Sequence, residues 1–515
     1  MKYLSGMDNL FLSQETPKQY MHVGGLGIYN PSTAEGGFVR FKSIIEFFTQ
    51  RLSTAPVFRR RLEHSLIDLD RPFWVEDPDV DVEYHVRHLA LPEPGDWRQL
   101  MIQIARIHAR PMDLSKPLWE AYIIEGLDNI KGLPPGSFAL YMKFHHSAVD
   151  GEAGAHLIGN LHTLSPEYVD KEANIGAHIN SRLPDSTEII SKSLIRRVKQ
   201  LKDIGSMGST VTNYALKNAK QSLSGGVDGI KDLITGIRSS KAKRPDTRFN
   251  APISAHRSLD AVGLSLADCS EIRKNAGLGT VNDIFVTVVG GAIRDYLASK
   301  GEAPDGSLLG AMPMTLRGDD KSGDEGNQIA QAYYNLHSDI VDPVARLAAI
   351  VEEMGQLKQK MNTGLGKDFQ ARLLEILPAS LVAKMITKEV GANSNGNVSN
   401  VRGPNQSLYM AGAKLERFIP FSIALDGCGL NITGFSYNGI LWVAVTCCRQ
   451  MMPDPEFFCE CIENNLKDLK HAAGKKGSEG SKPRAKKVSK KSSQGPKKKV
   501  AKKKVAKKKV AKKGS

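Results

Sequence analysis

Residues 138–154, FALYMKFHHSAVDGEAG, constrain the fold more than any other stretch of the chain. Phe138, Leu140, Met142 and Phe144 alternate with Ala139, Tyr141 and Lys143, the period of a half-buried strand. The strand is entered after Pro134-Pro135-Gly136 and ends on His145-His146, and Asp150-Gly151 then opens EAGAHLIGNLHTL, which reads as a helix. A strand that turns directly into a helix belongs to an α/β chain. Its end is a rigid place from which to aim a side chain into a cleft.

At 515 residues the chain exceeds one ordinary hydrophobic core, which predicts two domains. Its 41% hydrophobic and 24% charged residues are those of a soluble globular protein. No apolar run reaches the ~18 residues that a membrane-spanning helix needs. MKYLSGMDNLFLSQE lacks the apolar stretch and small-residue site of a secretory signal. The six cysteines (Cys269, Cys428, Cys447, Cys448, Cys459 and Cys461) show no C-x-x-C spacing. They are expected to be free and buried, in a cytoplasmic protein.

The net charge of +15 is unevenly spread. From Gly474 onward 19 Lys/Arg face a single acid, Glu479, so the tail carries +18 and the rest of the chain −3. The tail repeat KKKVAKKKVAKKKVAKK has period five, so its valines form no helical stripe. A like-charge block of this kind is predicted to be disordered. It reads either as a solvated tail or as a tether to anionic lipid, nucleic acid or another polyanion.

Two dense regions, 1–165 and 246–470, flank a polar stretch at 166–245, and the basic tail occupies 471–515. Within the middle stretch Ile190, Leu194, Val198, Leu201 and Ile204 recur at helical spacing among Lys192, Arg196, Arg197, Lys199 and Lys202. Val227, Ile230, Leu233, Ile234 and Ile237 suggest a second such helix. Both stripes could pack on the protein's own body or lie on a lipid surface.

The local sequence leaves three readings of the histidine pair. Zinc binding needs further ligands, and no H-E-x-x-H or paired cysteine supplies them. Nucleophilic catalysis would call for a serine elbow such as G-x-S-x-G, which is absent. A general base needs one imidazole of fixed tautomer within reach of a substrate proton. A purely structural role stands beside these. H-H-x-x-x-D-G arises by chance in such a chain only about once in a thousand.

That pattern resembles the motif of the acyl-CoA-dependent acyltransferase superfamily. Several further segments are similar to the bacterial wax ester synthase/diacylglycerol acyltransferase family within it. LSGMDNLFLSQETPKQYMHVGGLGIY, with Asp8, His22 and Gly24, looks like that family's opening strand. KPLWEAYIIEGL resembles its P-L-W segment through Pro117, Leu118 and Trp119. FNAPISAHR (249–257) looks like the start of its second half, and Asn282-Asp283 stand at a helix beginning. SNVRGP (399–404) is similar to its S-N-V-x-G-P segment, with Arg402 where a proline is common. GLNITGFSYNGIL (429–441) looks like a late strand pair.

The resemblance implies two chloramphenicol acetyltransferase-like domains, with mixed sheets flanked by helices, a helical crossover and a disordered tail. It implies an O-acyltransferase that moves a fatty acyl group from acyl-CoA to the hydroxyl of diacylglycerol or a fatty alcohol. In that reading His146 is the general base, His145 orients it or binds substrate, Asp150 holds the turn, and Gly151 admits close backbone approach. Asn282 and Asp283 would be second-half groups near the cleft. No metal or cofactor is expected beyond acyl-CoA as substrate, and peripheral association with a membrane or lipid droplet is. Two rivals are an acyltransferase with a different acceptor, and a non-catalytic lipid- or polyanion-binding protein on the same fold.

Overall fold

The computed structural model describes residues 2–64, 71–149, 151–167, 185, 187–196, 237–238, 243–315, 329–363 and 379–480. After a two-residue strand at Lys2–Tyr3 come helix α1 (Gly6–Ser13), capped by the Ser5 hydroxyl, and strand β1 (His22–Asn30). The segment expected as one opening strand is therefore a helix and a strand, and Asp8 lies on the helix. Helix α2 (Trp97–His108) begins with a capping box between Asp96 and Gln99. Strands β2 (Trp119–Glu125) and β3 (Phe138–His145) follow, and helix α3 (Gly151–Asn160) closes the first half.

The second half opens with β4 (Arg257–Ser265) and α4 (Val281–Ser299). It continues through β5 (Leu309–Thr315), β6 (Ile329–Asn335), α5 (Ala379–Asn393), β7 (Gly396–Val401) and β8 (Ala413–Phe421). It ends with β9 (Leu430–Tyr437), β10 (Ile440–Cys448) and α6 (Pro455–Gly480).

Two large mixed sheets organise these elements, in accord with the expected α/β architecture. The second-half sheet runs Ile237–Arg238, β6, β5, β7, β9, β10, β4. The first-half sheet runs Tyr409–Met410, β8, β1, β3, β2, Val86–Ala90. Two strands of the second half thus complete the sheet of the first, with β8 pairing β1 from Lys414↔Asn30 to Phe421↔Gly24. Contacts cross the boundaries expected at 165 and 246, since Ile237–Arg238 already joins the second-half sheet. Helix α5 also packs back on α1 through Leu10, Val382 and Ala383.

Strand β3 is buried on both faces, where alternation had suggested one. It lies between β1 and β2, with α2 packed on one face and the helix Phe41–Arg51 together with α3 on the other. The lysine that reads as solvent-facing, Lys143, is fully buried and ion-pairs Glu120 at 2.8 Å. The second-half core gathers Val, Ile, Leu and Cys side chains from α4, α6 and the sheet. All six cysteines are free and buried, as expected. Helix α6 runs past the boundary at 470, because Ala473 still packs into this core.

The first amphipathic stripe is described only over the helix 187–196, where Ile189 is buried against Phe73 and Val75 while Leu194 and Ile195 are exposed. The rest of that stripe, nearly all of the second and the repeat tail lie outside the described residues. Among the described residues no single helix is long and apolar enough to cross a membrane.

Candidate active site

The sheet register explains how the two histidines part company. His145 is the last residue of β3 and pairs with His22 of β1. Its side chain is fully buried, and its Nδ1 accepts from the Ser147 backbone N–H at 3.1 Å. Nε2 therefore carries the proton in the neutral ring, and it sits 3.2 Å from Glu15 Oε1, close but poorly aligned for a hydrogen bond. Glu15 Oε1 also accepts from the Met21 N–H at 3.0 Å, which ties the turn before β1 to the end of β3. His22 lies 3.7 Å from the same oxygen, and burial, with Lys143 nearby, holds its imidazole well below the usual range.

His146 stands one residue later, where the strand becomes a turn. Its backbone N–H donates to the Met21 carbonyl at 2.7 Å. Its half-buried ring stacks on Phe11, with centroids 4.0 Å apart and planes 20° apart. Helix α1 and β1 thus hold both the backbone and the ring.

Two cavities meet at His146. The larger, about 550 Å³, runs over β1 and β3 beneath α3 and is lined mainly by apolar side chains. The smaller, about 130 Å³, lies between α1, α5 and the second-half sheet. His146, Pro313, Ser399 and Ser422 border both. The imidazole therefore faces a passage between the halves whose far wall belongs to β5, β7 and the end of β8. An apolar pocket of a few hundred Å³ with a few convergent polar groups is what a small-molecule site requires.

The polar groups at this junction are held from behind. Ser399 Oγ donates to Thr433 Oγ1 at 3.2 Å, Thr433 to Asn431 Oδ1 at 2.8 Å, and Asn431 Nδ2 to the Ile423 carbonyl at 3.0 Å. On the other side His108 Nε2 donates to the Ser422 carbonyl at 3.1 Å while its Nδ1 accepts from Tyr141 Oη at 2.7 Å. That assignment follows because a carbonyl can only accept. Burial lowers His108 to about 3, so it serves as a neutral strut between α2 and β8.

The remaining predicted residues fall into three groups. Gly151 is the first residue of α3, and Asp150 lies outside the described residues. Asp283 is a helix cap: its Oδ2 accepts from the Thr280 N–H and hydroxyl, both at 2.8 Å. Asn282 accepts from Asn400 Nδ2 at 3.3 Å, and Asn400 lines the larger cavity, so Asn282 stands one contact behind the wall. Neither Asn282 nor Asp283 borders either of these two cavities. Sequence reasoning missed Glu15, Phe11 and Ser422, which no local pattern marks. Gly25 and Gly27 carried a signal, since glycine inside a strand flags close approach or open space. Among the described residues no group of three or more His, Cys, Asp or Glu is arranged to hold a metal ion.

The two-sheet architecture, with its passage and a histidine at a strand end, is the fold of the condensation-domain type. A trichothecene 15-O-acetyltransferase from Fusarium sporotrichioides shares this fold at 12% identity, with a TM-score of 0.58 over 91% of this chain and 94% of that one. The sequence narrows the class. Residues 4–285 match the wax ester synthase/diacylglycerol acyltransferase catalytic domain, and residues 325–470 match the family's C-terminal domain.

The chain belongs to that family. It is 31% identical over 481 residues to an O-acyltransferase named WSD from Acinetobacter baylyi, covering 90% of this chain and 96% of that protein. It is also 31% identical over 477 residues to a Mycobacterium tuberculosis protein named as a diacylglycerol O-acyltransferase, covering 92% and 100%. The wax ester synthase/diacylglycerol acyltransferase structure from Marinobacter aquaeolei VT8 superimposes with a TM-score of 0.63 at 26% identity, covering 92% and 100%.

Proposed function

We propose that this protein transfers a long-chain fatty acyl group from acyl-CoA to the hydroxyl of diacylglycerol or a long-chain alcohol, with His146 as general base. The observation that carries the reading is the place of His146, half-buried and held by Met21 and Phe11 where two cavities from opposite sides converge. A ring nitrogen of His146 takes the hydroxyl proton as the acceptor oxygen attacks the thioester carbonyl. The tetrahedral oxyanion collapses, the C–S bond breaks, and the CoA sulfur leaves with the proton that His146 returns. Both substrates reach one base from the two cavities, so the transfer proceeds without an acyl-enzyme.

General-base assistance typically contributes about 10²–10⁴-fold, and oriented donors at the oxyanion supply more. In this reading His145 positions its neighbour rather than reacting. Its buried ring packs edge-on against His22 of β1 and beside the Glu15 carboxylate, which supports the backbone from which His146 projects. Gly151 begins the helix that follows. The acceptors are water-insoluble, which supports a peripheral lipid-surface location. The exposed Leu194 and Ile195 beside Lys192, and the Lys-rich tail, suit an anionic surface.

The test is thiol release from palmitoyl-CoA with hexadecanol or a diacylglycerol as acceptor, in wild type and His146→Ala. Acceptor-dependent release that collapses in the variant is expected, and the better acceptor names the product class. Release that neither acceptor stimulates would retire the reading.

A further inference from the structure

The floor of the larger cavity is shaped by a row of missing side chains. On the cavity face of β1 the residues are Val23, Gly25, Gly27 and Tyr29. Their partners on β3 are Phe144, Met142, Leu140 and Phe138, all large. On the other side Phe418 and Pro420 of β8 lie opposite Gly27 and Gly25. Glycine at both positions lets the Phe418 and Tyr29 rings lie down against β1, and the cavity runs above them as a lane between the two rows. A methyl group at Gly25 would come within 2.6 Å of the Phe418 ring, so any side chain there would drive that ring up into the lane.

The lane has a stop. The Tyr29 ring folds back over Gly27, where an added Cβ would meet its ring edge and hydroxyl at 2.8 Å. Tyr29 is wedged between Phe138 and His162, stacked on both, with centroids 5.2 and 5.9 Å away. His162 Nδ1 donates to the Ile158 carbonyl at 2.6 Å, so its Nε2 is left to accept from Tyr29 Oη at 2.8 Å. Three contacts thus pin the ring across the lane.

The spacing between base and stop sets a length. His146 is anchored at Met21, and the Tyr29 hydroxyl sits over Gly27, six residues along β1, which is about 20 Å at the rise of a strand. A straight saturated chain with bonds of ~1.5 Å advances about 1.25 Å per carbon, so the lane accommodates about sixteen carbons. We propose that the Gly25–Gly27 lane, stopped by the Tyr29–His162 pair, is a ruler that sets the preferred length of an unbranched aliphatic chain. The inference rests on the acyl-transfer reading and deepens it. The chain could arrive on the thioester or on the acceptor alcohol, and the experiment separates the two.

Acceptor-dependent CoA release is measured as kcat/KM in two arms. One varies saturated acyl-CoAs from octanoyl to arachidoyl against a fixed alcohol, and the other varies alcohols from octanol to eicosanol against fixed palmitoyl-CoA. Wild type should fall away beyond about sixteen carbons in one arm. Gly25→Ala should lower the long-to-short ratio in that arm by about tenfold, the equivalent of two methylenes left unburied. Tyr29→Leu, which removes the stop, should shift the optimum to longer chains.

The arm that moves identifies the occupant. A Gly25→Ala profile that superimposes on wild type in both arms, in a variant whose thermal unfolding is cooperative, would overturn the ruler even if Tyr29→Leu fails to fold. Calorimetric binding of palmitate against octanoate repeats the comparison without turnover. A wild type that releases no CoA would therefore end the acyl-transfer reading while the ruler is still read. Equal binding of both acids by wild type and Gly25→Ala would end the ruler.

Discussion

The two sheets differ in what fills the space beside them. The second-half sheet packs α4 and α6 against a continuous layer of aliphatic and cysteine side chains. The first-half sheet buries charge. Lys143 and Glu120 form an ion pair within it, Tyr122 Oη donates to Glu120 at 2.8 Å, and His22, His108 and His145 line the same side. Burial lowers the Lys143 ammonium and raises the Tyr122 phenol. Its other face carries the glycine lane. Buried ion pairs are weak sources of stability, whereas removing one partner is severe. The difference teaches a division of labour, in which one half supplies cohesion and the other holds a site that works against cohesion.

Four substitutions sharpen or break that contrast. His146→Ala should reduce acceptor-dependent CoA release by about 10²–10⁴-fold with an unchanged melting curve; near-wild-type turnover would return the residue to a structural role. Glu120→Ala should destabilise by about 3–5 kcal/mol, because Lys143 is left buried without its anion. Denaturant unfolding measures this, and an effect near zero would mean the ion pair is dispensable. Leu297→Ala, in the last turn of α4, should remove about 3 kcal/mol by opening a cavity while leaving chain-length preference intact. A changed preference would show the two halves to be coupled.

The smallest effect lies between the halves. Asp260 of β4 accepts from Trp97 Nε1 at 2.6 Å, and burial raises its carboxyl to about 6. Between pH ~4 and ~6 the folded chain holds a proton that the unfolded chain releases, so this group's contribution to stability falls as pH rises through that window. Asp260→Asn keeps an acceptor for Trp97 and removes the titration. The variant should exceed wild type by about 2–3 kcal/mol at neutral pH and lose that advantage near pH 4. A difference independent of pH would refute the assignment.

Much of the local chemistry was legible beforehand. The strand ending at His145, the helix after Asp150, the cap at Asp283 and the late strand pair of β9 and β10 each follow from a period or a capping pattern. Long-range facts were not. No periodicity tells a strand which sheet it will join, so β8 read as second-half structure although it pairs with β1. Lys143 read as exposed because alternation assumes one wet face, and a central strand covered on both sides has none. The end of the second core was placed too early because His471, Ala472 and Ala473 resemble a linker in composition while still continuing a helix.

The exchange of β8 has a consequence for how the protein is made. When the ribosome has finished residue 165, β1 lacks its outer neighbour and presents a row of unpaired amides and carbonyls. At 5–20 residues per second the missing strand emerges only some tens of seconds later. Through that interval the first half is an open sheet with an apolar, glycine-rich edge, the kind of surface on which chains associate. A fragment ending at 165 should therefore aggregate, and the intact chain should depend on chaperones during synthesis more than its finished, well-packed body suggests.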